Sequence, residues 1–332
     1  MNGDWYTYQL YNHLKHFWRN SIVDRLNRHG IHWIQFPDTR IHHYGGKPVM
    51  NVIEMNEEIA RKIISGKPFM VSRLGGCEMK YTESYLEGHR SKRNFDKALR
   101  ELCFNAGFFP NQTDAADQFA QRYLEDMKQI DLDGVWRFFM EDYLVKHYLP
   151  NAQLTILEYL EPWRAPEGVR PWSYALAGKK VLVVHPFAET IKKQYTNNRT
   201  ELFANVYDSE DILPQFELTT IKAVQSIGGK GAAGYATWFD ALSAMTDQIR
   251  KTEFDVAIVG CGAYGLPLAA EIKRMGKQAI HLGGATQLMF GIRGGRWDHV
   301  PQISRLMNDS WISASKDETP SAASQVEGGC YW

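Results

Sequence analysis

The chain is poor in cysteine, and the few it has form no pattern that chemistry would use. Its 332 residues hold Cys77, Cys103, Cys261 and Cys330. No CxxC pair and no Cys/His cluster of zinc-ligand spacing occurs, which excludes a disulfide framework and a zinc finger or ribbon. Widely spaced thiols fit a reducing compartment, so a cytoplasmic location is expected. Charge of one sign is not in excess either: 38 basic residues balance 38 acidic ones. Sequence-independent nucleic-acid binding needs a basic surplus, so nucleic acid is not an expected partner. No apolar run reaches the roughly 18–20 residues that span a bilayer, so no transmembrane segment is expected. The opening MNGDWYTYQL lacks the basic-then-apolar order of a secretory signal. A GxSxG elbow, an HExxH pair and the kinase signature set are all missing, which leaves hydrolase, metalloprotease and kinase readings without support.

A hydrophobic fraction of 44% is present, enough for a sizeable core in one large α/β domain or two smaller ones. Aromatic residues make up 13% of the chain, with ten Trp. Rings in that number serve either as core filling, the commoner use, or as platforms on a sugar-handling surface.

Trp5 to Arg28 reads as a helix, with Leu10, Leu14, Trp18, Ile22 and Leu26 on one stripe and Lys15, Arg19, Arg25 and Arg28 interspersed. The pattern fits a helix packed on its own domain, the preferred reading, or one lying on a membrane surface. Under the second, the protein is peripheral at the inner face of the membrane. Ile31 to Val49 is punctuated by Pro37, Gly45-Gly46 and Pro48 and reads as irregular. Asn56 is expected to open a helix that ends at Gly66. Phe69 to Leu74 reads as a short strand, Glu78 to Leu86 as a helix, and Val135 to Tyr148 as an aromatic helix. From about residue 178 the order is strand, helix, strand, helix, strand, helix, strand. That alternation predicts an α/β fold: a Rossmann-like, mainly parallel sheet with helices on both faces, preceded by an N-terminal helical segment. The expected division is an N-terminal extension over 1–55, the α/β domain over 56–300 (its Rossmann-like half about 178–295) and a tail over 301–332.

The candidate chemistry lies where strands end. Gly260-Cys261-Gly262-Ala263-Tyr264-Gly265 matches GxGxxG between a strand and a helix. A dinucleotide site should bring an acid about 20 residues on, but that region is His281-Leu282-Gly283-Gly284, so NAD(P) is discounted. What remains is a phosphate-facing turn or plain helix–strand packing. Arg73-Leu74-Gly75-Gly76-Cys77-Glu78 places an Arg at a strand end and a Glu at a helix start. Arg pairs bidentately with phosphate, and Glu holds a divalent metal or orients a hydroxyl; the bland alternative is an Arg–Glu ion pair. His185 and Glu189 follow the strand KVLVVH, at the sheet edge where ligands of open α/β sheets bind. Either fits a general base or a partner for a substrate hydroxyl. Thr286, Gln287 and Arg293, after the second glycine pair, supply donors and positive charge.

Taken together, RLGGCE, VLVVHPFAE, IKAVQS and AIHLGGATQLMFGIRGGRW resemble the GT-D-type glycosyltransferase superfamily, and more closely a bacterial branch found among surface-polysaccharide genes. The terminal EGGCYW is similar to that branch too. The resemblance covers about residues 55–300 and the tail. It implies a nucleotide-sugar donor as co-substrate and a glycan or lipid-linked acceptor. In the family the first turn carries Asp-x-Glu, which helps hold a divalent metal, manganese or magnesium, with the donor. Here the Asp position is Gly76 and only Glu78 carries over. A later family His falls on Gly284. The expected diphosphate clamp is then Arg73, with Gly75, Gly76, Gly260, Gly262, Tyr264, Gly283, Gly284, Thr286, Gln287 and Arg293 around the donor. Glu78, His185 and Glu189 are the catalytic candidates. The two glycine-pair turns are expected to face each other across one cleft, with Tyr331 and Trp332 folding back over it. The alternatives are another nucleotide-sugar enzyme, such as a phosphosugar transferase, and a non-catalytic partner in polysaccharide assembly.

Overall fold

The structure, a computed structural model, describes residues 4–18, 41–204, 206, 209–321, 323–326, 329 and 331–332. Residues Ile22 and Leu26 of the expected N-terminal stripe, and Cys330, lie outside the described residues.

Nine strands form one sheet: β1 (His43–Tyr44), β2 (Lys47–Met50), β3 (Phe69–Ser72), β4 (Leu132–Val135), β5 (Gln153–Ile156), β6 (Lys180–His185), β7 (Glu217–Lys222), β8 (Val256–Val259) and β9 (Gln278–His281). Their spatial order is β1-β2-β5-β4-β3-β9-β8-β6-β7. Among the described residues only β1 and β2 pair antiparallel, and every other pairing is parallel. This is the α/β class that the alternation predicts. A parallel sheet must be covered on both faces, so its strands are apolar on both. In β6, Leu182 and Val184 enter one core while Val181 and Val183 enter the other. β8 divides the same way, with Ala257 and Val259 against Val256 and Ile258. The period of two fixes which helices each strand face meets.

The first core packs under the helices Gly76–Leu86, Lys92–Phe104, Thr113–Met127, Trp238–Arg250 and Gly265–Arg274. The second packs under Val52–Ser65, Ala188–Asn198 and the short Ala285–Met289. From β6 onward the chain follows the expected order, with boundaries shifted by a few residues.

Three local readings need correction. The helix expected from Asn56 starts at Val52, because Asn51 caps it. Asn51 Oδ1 accepts from the amides of Ile53 and Glu54, at 2.9 and 3.0 Å, and Glu54 Oε2 accepts from the amide of Asn51 at 2.9 Å. This reciprocal capping box satisfies amides that the first turn leaves unpaired. The helix stops at Gly66, in the left-handed region at φ 67°. Val135 to Tyr148 is not one helix: Val135 ends β4, and the helix is confined to Glu141–Tyr148. The stretch to Val49, expected to be irregular, contains β1 and β2. β2 pairs with β5, so the sheet begins before residue 56.

Replacing Asn51 with Ala should cost about 1 kcal/mol of unfolding free energy. Urea denaturation of the two proteins measures this; an unchanged midpoint would mean that packing alone sets that helix start.

Candidate functional site

The order of the strands places the site. β4 and β9 flank β3 on opposite sides, and β7 and β8 flank β6 on opposite sides. Loops leaving these strands' carboxyl ends therefore diverge and leave a crevice. A cavity of about 450 Å³ lies there, lined from the ends of β3, β4, β6, β8 and β9 and from the segments after β7 and before the C-terminus. That volume suits a small organic ligand. A depression of about 560 Å³ at Pro48–Arg61 lies away from these strand ends. It is open and lined by Glu58 already ion-paired to Arg61 at 2.7 Å, so it carries no comparable chemistry.

The two glycine turns meet because β3 and β9 are neighbours. Gly283, at φ 60°, occupies backbone space that L side chains rarely adopt. A Cβ there would also stand 2.9 Å from Arg73 Nη1. At Gly260 a Cβ would lie 2.5 Å from the carbonyl oxygen of Gly283 and from Thr286 Oγ1. The turns after β3, β8 and β9 are thus packed at backbone distance.

Arg73 is held flat by aromatic stacking. Its guanidinium carbon lies 4.3 Å from the Trp136 ring centroid, and Trp136 stacks on Phe138 at 4.8 Å and 22°. Among the described residues Arg73 forms no ion pair and donates no side-chain hydrogen bond, so the expected bland alternative, an Arg73–Glu78 ion pair, does not form. Glu78 instead folds back over Gly75, where its carboxylate stands 2.1 Å from the position of a Cβ. The amide of Gly75 donates to Tyr123 Oη at 2.9 Å. The positive end of the helix Gly76–Leu86 therefore already faces its own first-turn carboxylate.

Both cavity histidines are neutral. His185 Nδ1 accepts from the amide of Phe187 at 3.0 Å, which leaves the hydrogen on Nε2. Burial drives its pKa from 6.5 down to about 3. His281 is brought down to about 3 by burial, with the Arg73 charge second, and its Nδ1 lies 3.0 Å from Ser72 Oγ. His185 is thus built as a hydrogen-bond donor into the cavity rather than as a base.

Of the expected site residues, Arg73, Gly75, Gly76, Glu78, His185, Gly260, Gly262, Tyr264, Gly283, Gly284 and Gln287 line the cavity. Glu189, Thr286 and Arg293 do not. Glu189 is exposed on the helix Ala188–Asn198, and its amide donates to Glu318 Oε1 at 2.8 Å. Thr286 is buried beneath Gly260, and Arg293 Nη2 donates to the carbonyl of Asn308 at 2.9 Å. Tyr331 and Trp332 line the cavity as well. Tyr331 lies over Gly284, where a Cβ would stand 2.8 Å from its ring, and its hydroxyl accepts from Arg296 Nη1 at 3.1 Å.

Sequence reasoning missed Trp136, Phe138, Tyr123 and Asp133. The last is fully buried on β4 beside Ser72, and neither carboxylate oxygen has a hydrogen-bond partner among the described residues. Burial, then the Glu141 charge, pushes its carboxyl well above the usual range, with Arg73 pulling weakly the other way. A lone acid in the apolar stretch LDGV was the available signal.

A divalent metal does not fit these residues. Among the described residues Glu78 is the single carboxylate lining the cavity, and no group of three His, Cys, Asp or Glu is arranged to hold an ion.

Stability should fall in acid. Both imidazoles have folded pKa values near 3 against an ordinary 6.5. The unfolded chain therefore binds more protons between those limits, so their contribution is complete above about 6.5 and is lost as pH falls toward 3. The slope is about 1.4 kcal/mol per pH unit for each group. Urea midpoints of the wild type, His185→Gln and His281→Gln across that window test it: each variant should lose its share of the slope, and parallel profiles would refute the buried neutral state.

No family model, curated protein or solved structure matches the chain.

Proposed function

We propose that the protein is a glycosyltransferase that moves a sugar from a nucleotide-sugar donor to a carbohydrate or glycoconjugate acceptor in surface-polysaccharide synthesis, the reading that the resemblance to GT-D enzymes implies. The observation that carries it is Arg73: a stacked guanidinium with no ion-pair partner among the described residues, at the meeting point of the turns after β3 and β9. An arginine already oriented in a cavity is an efficient receptor for a phosphate group.

The geometry divides the roles. Glu78 lies over the Gly75 turn, so an incoming diphosphate is repelled from that side. It is directed toward Arg73 and the Gly283-Gly284 backbone, where Arg296, which donates to the Tyr331 hydroxyl over Gly284, adds positive charge to the wall. Transfer breaks the bond between the sugar's anomeric carbon and the phosphate oxygen, and the diphosphate leaves with the electron pair. The acceptor oxygen bonds to the anomeric carbon, and its proton passes to Glu78, the one carboxylate on the wall among the described residues. His185 Nε2–H donates to a neutral oxygen of donor or acceptor. The developing charge on the leaving group is balanced by Arg73 in this scheme, without a metal.

Calorimetry with a panel of nucleoside diphosphates tests the reading. At least one should bind, and Arg73→Ala should weaken it by about 10- to 100-fold, the range for a charge-assisted hydrogen-bonded pair. With nucleotide sugars, turnover should release nucleoside diphosphate, and Glu78→Gln should suppress turnover while sparing donor affinity. Release of nucleoside monophosphate would favour a phosphosugar transferase. Binding of no diphosphate would sink the proposal.

A further inference from the structure

The N-terminal helix Trp5–Phe17 packs on its own domain, the preferred sequence reading, but by a different face from the Leu10–Leu14 stripe. The side facing the protein carries Trp5, Tyr8 and Asn12. Trp5 meets Tyr143 edge-on at 4.6 Å, Tyr8 meets it at 5.6 Å, and Asn12 Nδ2 donates to Asp142 Oδ1 at 2.9 Å. Asp4 pairs with Lys146 at 2.8 Å and fixes the helix start. The apolar stripe is left outside: Leu10 is 63% exposed, Leu14 60% and Phe17 62%. Of the eight large hydrophobic residues that are exposed among the described residues, six are Tyr6, Leu10, Tyr11, Leu14, Phe17 and Trp18. A cluster of that kind on an otherwise polar surface marks an interaction face.

The charge of this segment selects its partner. From Trp5 to Val23 the sequence has no acidic residue, while Lys15 and Arg19 are basic. The whole chain is neutral, so the bias is local. Leu and Phe in a central row, Tyr and Trp beside them, and cations without acids are the composition of a helix lying in a membrane interface. We infer that the face formed by Tyr6, Leu10, Leu14, Phe17 and Trp18 docks the protein on an anionic lipid bilayer. The helix rests on Glu141–Tyr148, the next helix after the Trp136–Phe138 wall of the cavity, and the His13 and Phe139 rings are 4.8 Å apart. The inference stands independently of the reading of the cavity, because binding is measured without donor or acceptor.

Co-sedimentation of the full chain with phosphatidylcholine vesicles, and with vesicles of equal phosphatidylcholine and phosphatidylglycerol, tests it. Partitioning should favour the anionic vesicles by about tenfold or more and weaken as salt rises. The double variant Leu10→Gln/Leu14→Gln, whose sites make no core contact, should keep its unfolding temperature and lose about tenfold or more of that binding. Failure of the wild type to bind, equal binding to both vesicles, or undiminished binding by a folded double variant would overturn the inference. So would a concentration-dependent dimer, abolished by the double variant, in a protein that ignores vesicles.

Discussion

The pairing of β3 with β9 is the contact on which the rest of the structure depends. Phe69, Met70 and Val71 face Gln278, Ala279 and Ile280 in register, and this ladder joins the strands β2, β5, β4 and β3 to β9, β8, β6 and β7. It is reinforced at its lower end by Gln278, whose side-chain amide donates to the carbonyls of Lys62 and Lys67, both at 3.1 Å. A parallel ladder sets the level of both strand ends at once, because a one-residue slip would move every side chain to the wrong core. With register fixed, Ser72 must stand beside His281, and Arg73 beside the Gly283 turn. The cavity exists because two halves of the chain, more than 200 residues apart, end their strands at one height.

How legible this was depended on how local the signal was. The strands KVLVVH and VAIV announce themselves as uninterrupted apolar runs, and the glycines after β3, β8 and β9 mark where they stop. Arg73, Glu78 and His185 were found because each adjoins such a run. Trp136 and Phe138 escaped because β4 reads LDGV, with an acid and a glycine in a buried strand, so the aromatic stretch after it looked helical. Glu189 and Arg293 were plausible by position, but the Glu189 side chain is exposed while its amide is held by Glu318, and Arg293 donates to the Asn308 carbonyl. A contact made by a later segment of the chain, 129 residues on for Glu318 and 15 for Asn308, leaves no periodic trace in the residue it captures. The N-terminal helix was readable as a helix, yet which of its faces is covered depends on Tyr143 and Asp142, which periodicity cannot report.

The electrostatics of the site follow from its dryness. In a low-dielectric layer the neutral form of each ionisable group is favoured unless a partner offsets the burial. His185, His281 and Asp133 all take that course, in the directions expected of a base and an acid. Arg73 cannot, since a guanidinium does not lose its proton in a protein. It keeps its charge by lying half-buried on the face of Trp136, where the ring's negative quadrupole replaces part of the lost hydration.

Helix N-termini, the usual alternative for holding an anion, are already committed here. The helix Gly76–Leu86 faces its own Glu78. The helix Ala188–Asn198 has Glu318 at its start: the carboxylate accepts from the amides of Glu189 and Thr190 at 2.8 and 3.1 Å. The helix Gly265–Arg274 begins against the His281 ring, whose Nε2 would stand 2.2 Å from a Cβ on Gly265. Two of these starts are filled by carboxylates and the third by a neutral ring, so none offers a ready cradle. Under the proposed function the burden of attracting an anion falls on Arg73 and the backbone it touches at Gly283, which would make the glycine at 283 and the ring at 136 parts of one device.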